Sequence, residues 1–169
     1  HTTADFSYRD TLTITEGAIG LAKEAIHRGL PIITDTTMAA SGINKTAARK
    51  FGIDVHCFIG DEEVKEAAKA NGMTRSAVSA EKAARLYPEG IYAVGNAPTA
   101  LMRLYELIEE KKIRPALIIG VPVGFVNVVE AKELILRTDV PAIVARGRKG
   151  GSNIAAAICN ALLYEAGGR

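Results

Sequence analysis

"IYAVGNAPTALMRLYELI", residues 91–108, carries two structural periods end to end. Residues 91–96 form a short apolar run of the kind expected for a parallel strand covered on both faces. From Ala97 the period changes. Ala97, Ala100, Leu101, Leu104 and Ile108 fall on one face of a helix. Gly95, Asn96 and Pro98 mark the turn between the two. A strand that passes through such a turn into an amphipathic helix is half of a strand–helix–strand unit. Whether the unit repeats decides the fold.

It does repeat. Residues 31–35, 55–60, 116–121 and 142–147 are further short runs rich in Ile, Val and Ala. Amphipathic stretches separate them. Thr13 and Glu16 have the spacing of a capping box, and Ile14, Ala18, Leu21, Ala22, Ala25 and Ile26 follow as one apolar face. Gly29 and Pro31 end that helix. Residues 76–86 and 127–137 read as helices, and Ile154, Ala157, Ile158, Ala161 and Leu162 mark a last one. Asp61, Glu62 and Glu63 suit a helix N-terminus. The expectation is a single α/β domain over residues 1–169. Its doubly wound, mainly parallel sheet has about five strands, with helices on both faces.

Composition narrows the function. The chain has 169 residues, 48% hydrophobic and 24% charged, which fits one globular domain. A formal charge of +2 is too mild for a nucleic-acid surface, and basic residues are not interleaved with aromatics. No apolar run approaches the ~18 residues of a membrane span. Cys57 and Cys159 stand alone in apolar runs, without CxxC or zinc spacing. They read as two buried thiols, which fits a reducing cytoplasm.

Ligands of open α/β sheets bind beyond the carboxyl ends of the strands. Four of those ends are marked here: "TDTTMAASGIN", "GNAPTAL", "GVPVGFVN" and "RGRKGGSN". Glycines at such turns let backbone approach a ligand, and the following helix N-termini favour anions. Each loop alone is also an ordinary capped turn; four on one rim point to a site. Neither GxGxxG nor GxxxxGK[ST] occurs, which argues against a nucleotide. Arg146, Arg148 and Lys149 suit a carboxylate or phosphate, or form a solvated basic turn. Arg75, flanked by Thr74 and Ser76 at a helix start, can fork onto a carboxylate, while either neighbour can be a cap. Asp35, at a strand end, is either functional or a brace for its loop.

No hydrolytic or metal set is present. His27 reads as a surface residue near a helix C-terminus, and His56 as structural. His1 is then the remaining acid–base candidate. By itself it is equally a remnant of a purification tag.

At these loops the chain resembles the precorrin-8X methylmutase family, which includes the cobalt-precorrin-8 enzymes. "HTTADF", "TDTTMAASGIN", "NGMTRSA", "GNAPTAL", "GVPVGFVN" and "RGRKGGS" carry the likeness, in order, over essentially the whole chain. The resemblance implies an isomerase of cobalamin biosynthesis that needs no cofactor or metal. It moves a methyl group from C11 to C12 of a corrin macrocycle, giving hydrogenobyrinate or cobyrinate. It implies a cytoplasmic homodimer without nucleic-acid or membrane partners. His1 matches the family's proposed acid–base histidine, and the unbroken register of "TTADF" favours a native residue. Arg75 matches the substrate-holding arginine. The turn 42–44 matches a polar substrate contact through Gly42 and Asn44, where many relatives have Thr instead of Asn. The remaining expected substrate contacts are Asp35, Thr74, Ser76, Gly95, Asn96, Gly124, Arg146, Gly150, Gly151 and Ser152. The family normally has a few dozen residues before this histidine, including a substrate-contacting serine. A missing N-terminal segment is therefore expected. A tetrapyrrole carrier without turnover shares every loop feature, and a nucleotide-binding regulatory module is the third reading.

Overall fold

The structure, a computed structural model, describes residues 2–168. Nine helices and six strands occur among them, in chain order: α1 Tyr8–Thr11, β1 Leu12–Ile14, α2 Ala18–His27, β2 Ile32–Thr34, α3 Thr37–Gly42, α4 Lys45–Arg49, β3 Val55–His56, α5 Glu62–Asn71, α6 Arg75–Leu86, β4 Ile91–Val94, α7 Pro98–Glu109, β5 Leu117–Gly120, α8 Val128–Ile135, β6 Ala142–Ala145 and α9 Ser152–Ala166.

The strands form one sheet in the order β1-β6-β5-β4-β2-β3. From β6 to β3 every pair is parallel. Alternate side chains of each strand enter opposite layers, as strand geometry requires. Ile91, Ala93, Leu117, Ile119, Ile143 and Ala145 pack with α2, α3, α4 and α9. Tyr92, Val94, Ile118, Ala142 and Val144 pack with α6, α7 and α8. Both faces of the central strands are covered, so β4, β5 and β6 read as continuously apolar.

From β2 the chain moves to β3 on one side, then crosses back to β4 on the other and continues outward. The reversal lies between β2 and β4, which is the topological switch point.

The expected five parallel strands are all present. The sixth strand, β1, is a correction. Residues 13–16 do not open a helix. Thr13 pairs with Val144, and Ile14 with Ile143, in an antiparallel ladder. Helix α2 starts only at Ala18, after Gly17 turns the backbone at φ 72°. Ile14 and Leu21, expected on the buried face, are exposed. Pairing with β6 across 131 residues overrides the local capping pattern. Cys57 is a second correction, being only half-buried. Cys159 is buried, and burial pushes its thiol up to about 12.

Candidate functional site at the carboxyl rim

The switch point is braced by Asp35, the residue after β2. Its Oδ1 accepts from the Gly95 N–H at 2.9 Å, and its Oδ2 from Asn96 and Ala97 at 2.8 and 2.7 Å. Asp35 is buried, and burial pushes its carboxyl above the ordinary range against the pull of these backbone donors. Of its two readings, the structure supplies the brace: both oxygens tie β2 to the loop after β4.

Three loops close on that brace. The Thr36 and Ser152 hydroxyls meet at 2.8 Å, joining the starts of α3 and α9. Gly95 passes so near α9 that a Cβ would lie 2.6 Å from Ser152 Cα. Gly150 runs over the carbonyls of Val121 and Pro122, where a Cβ would collide with backbone. The Gly151 N–H donates to Val121 O at 2.8 Å, and the Gly124 N–H to Arg148 O at 3.2 Å. The loops after β2, β4, β5 and β6 thus form one connected rim. Glycine is required at Gly95 and Gly150 because backbone fills the space of a side chain.

Helix α6 joins them from the side. The Thr74 side chain caps it, accepting from the Ala77 N–H at 3.2 Å, and donates to Thr99 on α7 at 3.0 Å. Arg75 is exposed, with no ion pair among the described residues. Ser76 lines a cavity of about 20 Å³ together with Thr34, Asp35 and Ser79. The sequence-predicted residues Asp35, Thr74, Arg75, Ser76, Gly95, Asn96, Gly124, Gly150, Gly151 and Ser152 therefore belong to one end of the molecule. A wider hollow of about 670 Å³ lies among Pro88, Glu89, Ile108 and Asp139, beside the opposite ends of the strands. It carries none of the marked loops.

Gly42 and Asn44 do not join the rim. Asn44 caps α4 through the Ala47 N–H at 3.0 Å, its own N–H donates to Asn160 Oδ1 at 2.7 Å, and its Nδ2 donates to the Tyr164 hydroxyl at 3.0 Å. Gly42 packs on Ala156, where a Cβ would come within 2.8 Å. Asn160 lies roughly 12 Å along α9 from its start at 1.5 Å per residue. Within the chain, Gly42 packs on the first half of α9 and accepts from Asn160, and Asn44 is held by Asn160 and Tyr164 in its second half.

The basic loop is divided among three partners. Arg146 donates to Glu133 through two of its three nitrogens, Nε–Oε1 2.8 Å and Nη2–Oε2 2.7 Å. Lys149 donates to Asp5 Oδ2 at 2.7 Å and Ser7 Oγ at 2.9 Å. Hydrogen bonds to Asp5 from Lys149 first, and then from the Ser7 side chain and N–H, hold its carboxyl down at about 2. Arg148 is exposed and has no ion pair among the described residues. Arg146, expected as a substrate contact, is held by Glu133 and organises the loop within the chain, and Arg148 has no ion pair among the described residues.

His1 lies outside the described residues. His27 is exposed, with Nδ1 2.7 Å from Lys23 O. His56 stacks on Tyr87 and Phe58. Both fit the structural roles expected of them.

Sequence reasoning missed two features. Phe6, Met38, Phe125 and Val126 are apolar side chains exposed around the rim, at 92%, 69%, 89% and 75%. They add a greasy border to a polar floor. Lys132 is fully buried on α8 and donates to Gly147 O at 2.7 Å and Lys149 O at 2.8 Å. Its signal was present: Val128, Ala131, Lys132 and Ile135 share one helical stripe. Among the described residues, no three His, Cys, Asp or Glu side chains gather in metal-binding reach. No helix of the described residues is long and apolar enough to cross a membrane.

Comparison with known proteins agrees with this architecture. A family model described as precorrin-8X methylmutase matches residues 1–165. The chain is 46% identical to the cobalt-precorrin-8 methylmutase of Leptospira interrogans, over 96% of this chain and 78% of the relative. It is also 46% identical to the enzyme of that name from Salmonella typhimurium, over 98% and 77%. A crystal structure of precorrin-8x methyl mutase from Thermus thermophilus superposes with a TM-score of 0.90 at 40% identity, covering 99% of this chain and 82% of that one.

Proposed function

The chain belongs to the precorrin-8X methylmutase family, and on that premise we propose that it moves a methyl group from C11 to C12 of precorrin-8X or cobalt-precorrin-8 in cobalamin biosynthesis. The observation that carries this reading is the connected rim at the switch point, built of glycine-rich backbone, unpaired arginines and exposed apolar side chains.

A methyl shift inside one molecule needs no nucleophile and no hydride carrier. It needs a fixed macrocycle conformation and a field that favours the charge developing during the shift. The rim suits that task. Phe6, Phe125, Val126 and Met38 offer apolar surface to the flat faces of a macrocycle. Arg75, Arg148 and the N-termini of α7 and α9 offer positive charge or N–H groups to its carboxylate arms. Asp35, Gly95, Gly150 and Gly151 keep the floor rigid, and Thr74, Ser76, Asn96, Gly124 and Ser152 border it. In this reading His1 holds or donates the proton at the ring, a role for which a side-chain pKa of roughly 6.5 is suited.

Two copies acting as a homodimer fit the exposed apolar border, which a second chain can cover together with substrate. Two free cysteines fit work in the cytoplasm.

The test is an absorbance assay of conversion by the folded protein, with multiple turnovers separating an enzyme from a stoichiometric carrier. His1→Ala is expected to keep product binding and to slow turnover at least a hundredfold, in line with acid–base effects of roughly 10²–10⁴. Absence of conversion by the unaltered protein removes the functional reading. Unchanged turnover in the variant removes the role of His1 alone.

A further inference from the structure

We propose that Lys132 is a positioning residue of the substrate-holding loop 146–152, fixing two backbone N–H groups as donors for a carboxylate arm of the substrate. The inference rests on the reading above that this loop receives such an arm.

Lys132 is an unusual side chain for its place. It is 0% exposed and sits in the apolar stripe of α8 with Val128, Ala131 and Ile135. Its ammonium donates to two neutral carbonyls, Gly147 O and Lys149 O. No carboxylate pairs with it among the described residues; its neighbour Glu133 is committed to Arg146. Burial pulls its ammonium down to about 8, and no anion offsets that pull. A buried cation without a counter-charge costs folding stability. The two hydrogen bonds to Gly147 O and Lys149 O tie the loop to α8, so this buried charge acts on the loop backbone.

The peptide geometry supplies one. In a trans peptide the C=O of one residue points opposite to the N–H of the next. Two carbonyls drawn onto Lys132 therefore turn the N–H groups of Arg148 and Gly150 away from α8. Neither N–H donates to an acceptor among the described residues. They are two residues apart and lie just ahead of the 15-residue helix α9, whose N-terminal end favours an anion; the Gly151 N–H between them and the helix is held by Val121 O. The Lys132 charge beneath adds to the field. An arriving carboxylate supplies both the missing acceptors and the missing counter-charge.

Lys132 also explains why the loop's three basic residues are distributed as they are. Adjacent residues of α8 hold it from two directions, Lys132 by its carbonyls and Glu133 by the Arg146 guanidinium. Arg148, between the two pinned carbonyls, keeps its side chain free of ion pairs.

The test compares unaltered enzyme with Lys132→Met and Lys132→Arg. Turnover is followed by steady-state kinetics and hydrogenobyrinate binding by absorbance titration. Lys132→Met is expected to raise KM and weaken product binding about tenfold or more, with kcat within about threefold. Lys132→Arg, which keeps charge and donors, is expected to recover part of the loss. An independent measurement needs no variant: amide exchange at Arg148 and Gly150 should slow in the unaltered protein when hydrogenobyrinate is added. A folded Lys132→Met enzyme with unchanged KM overturns the proposal. So does unchanged exchange at both amides in product-saturated enzyme. If the unaltered enzyme neither converts substrate nor binds hydrogenobyrinate, the functional reading itself fails and takes this inference with it.

Discussion

Arg146 and Glu133 form a two-pronged ion pair, with Nε–Oε1 at 2.8 Å and Nη2–Oε2 at 2.7 Å. The pair joins the residue after β6 to α8 and directs the guanidinium toward protein. Arg148, two residues on, has no such partner among the described residues. Arg148→Ala is therefore expected to raise KM about tenfold, a loss of about 1.4 kcal/mol, with the melting temperature unchanged. Glu133→Gln is expected to shift the melting temperature little, because the pair is partly exposed. Kinetics beside thermal denaturation of both variants checks the division of labour. Equal KM in Arg148→Ala and the unaltered enzyme would refute it.

Asp35 serves three backbone donors at once. In Asp35→Asn the amide nitrogen faces N–H groups and cannot accept from them. Loss of one or two of these bonds in a buried site is expected to cost about 3 kcal/mol. Chemical denaturation measures this directly. A variant within about 0.5 kcal/mol of the parent would show that the brace contributes little.

Gly95 tests the close approach of the rim loops. Gly95→Ala places a methyl group 2.6 Å from Ser152 Cα and 2.9 Å from Gly151 O. Backbone must move to admit it, so a loss of about 2 kcal/mol is expected. Turnover should fall as well, because α9 carries the rim loop with it. A melting curve and an activity assay on the same preparation suffice, and full activity at parental stability contradicts the geometry.

The tie between Lys149 and Asp5 has a defined pH window. The Asp5 carboxyl is held down at about 2, below its ordinary 3.8. A depressed carboxyl contributes its share above the ordinary value and loses it as pH falls through the folded one. The tie should hold at pH 5 and be released between about pH 4 and pH 2. Salt should weaken it, since both side chains reach solvent. Limited proteolysis of residues 2–8 follows the release, and Lys149→Ala should expose the same bonds at neutral pH. Cleavage that is indifferent to both pH and the substitution would exclude the tie as the fastening.

Much of this was legible in the chain. The five parallel strands announced themselves because burial on both faces leaves unbroken apolar runs. The rim loops did so through glycine, proline and small hydroxyl residues. What could not be read locally depended on distant partners. Thr13 and Glu16 carry an honest helix-start pattern, yet residues 142–145 recruit the segment as a strand. Arg146, Arg148 and Lys149 look alike in sequence. Their roles diverge only because Glu133 and Asp5 arrive from 13 and 144 residues away. Gly42 and Asn44 fit a family motif, and their partners within the chain are Ala156, Asn160 and Tyr164 of α9. Lys132 was readable in principle, as a charge on an apolar stripe.

The sheet ends in β1 on one side and β3 on the other, strands of three and two residues. Neither offers a neighbour more than a few backbone groups to pair with. Strand-by-strand growth from one molecule to the next is thereby discouraged. Any contact between copies is then left to side chains rather than to strand edges.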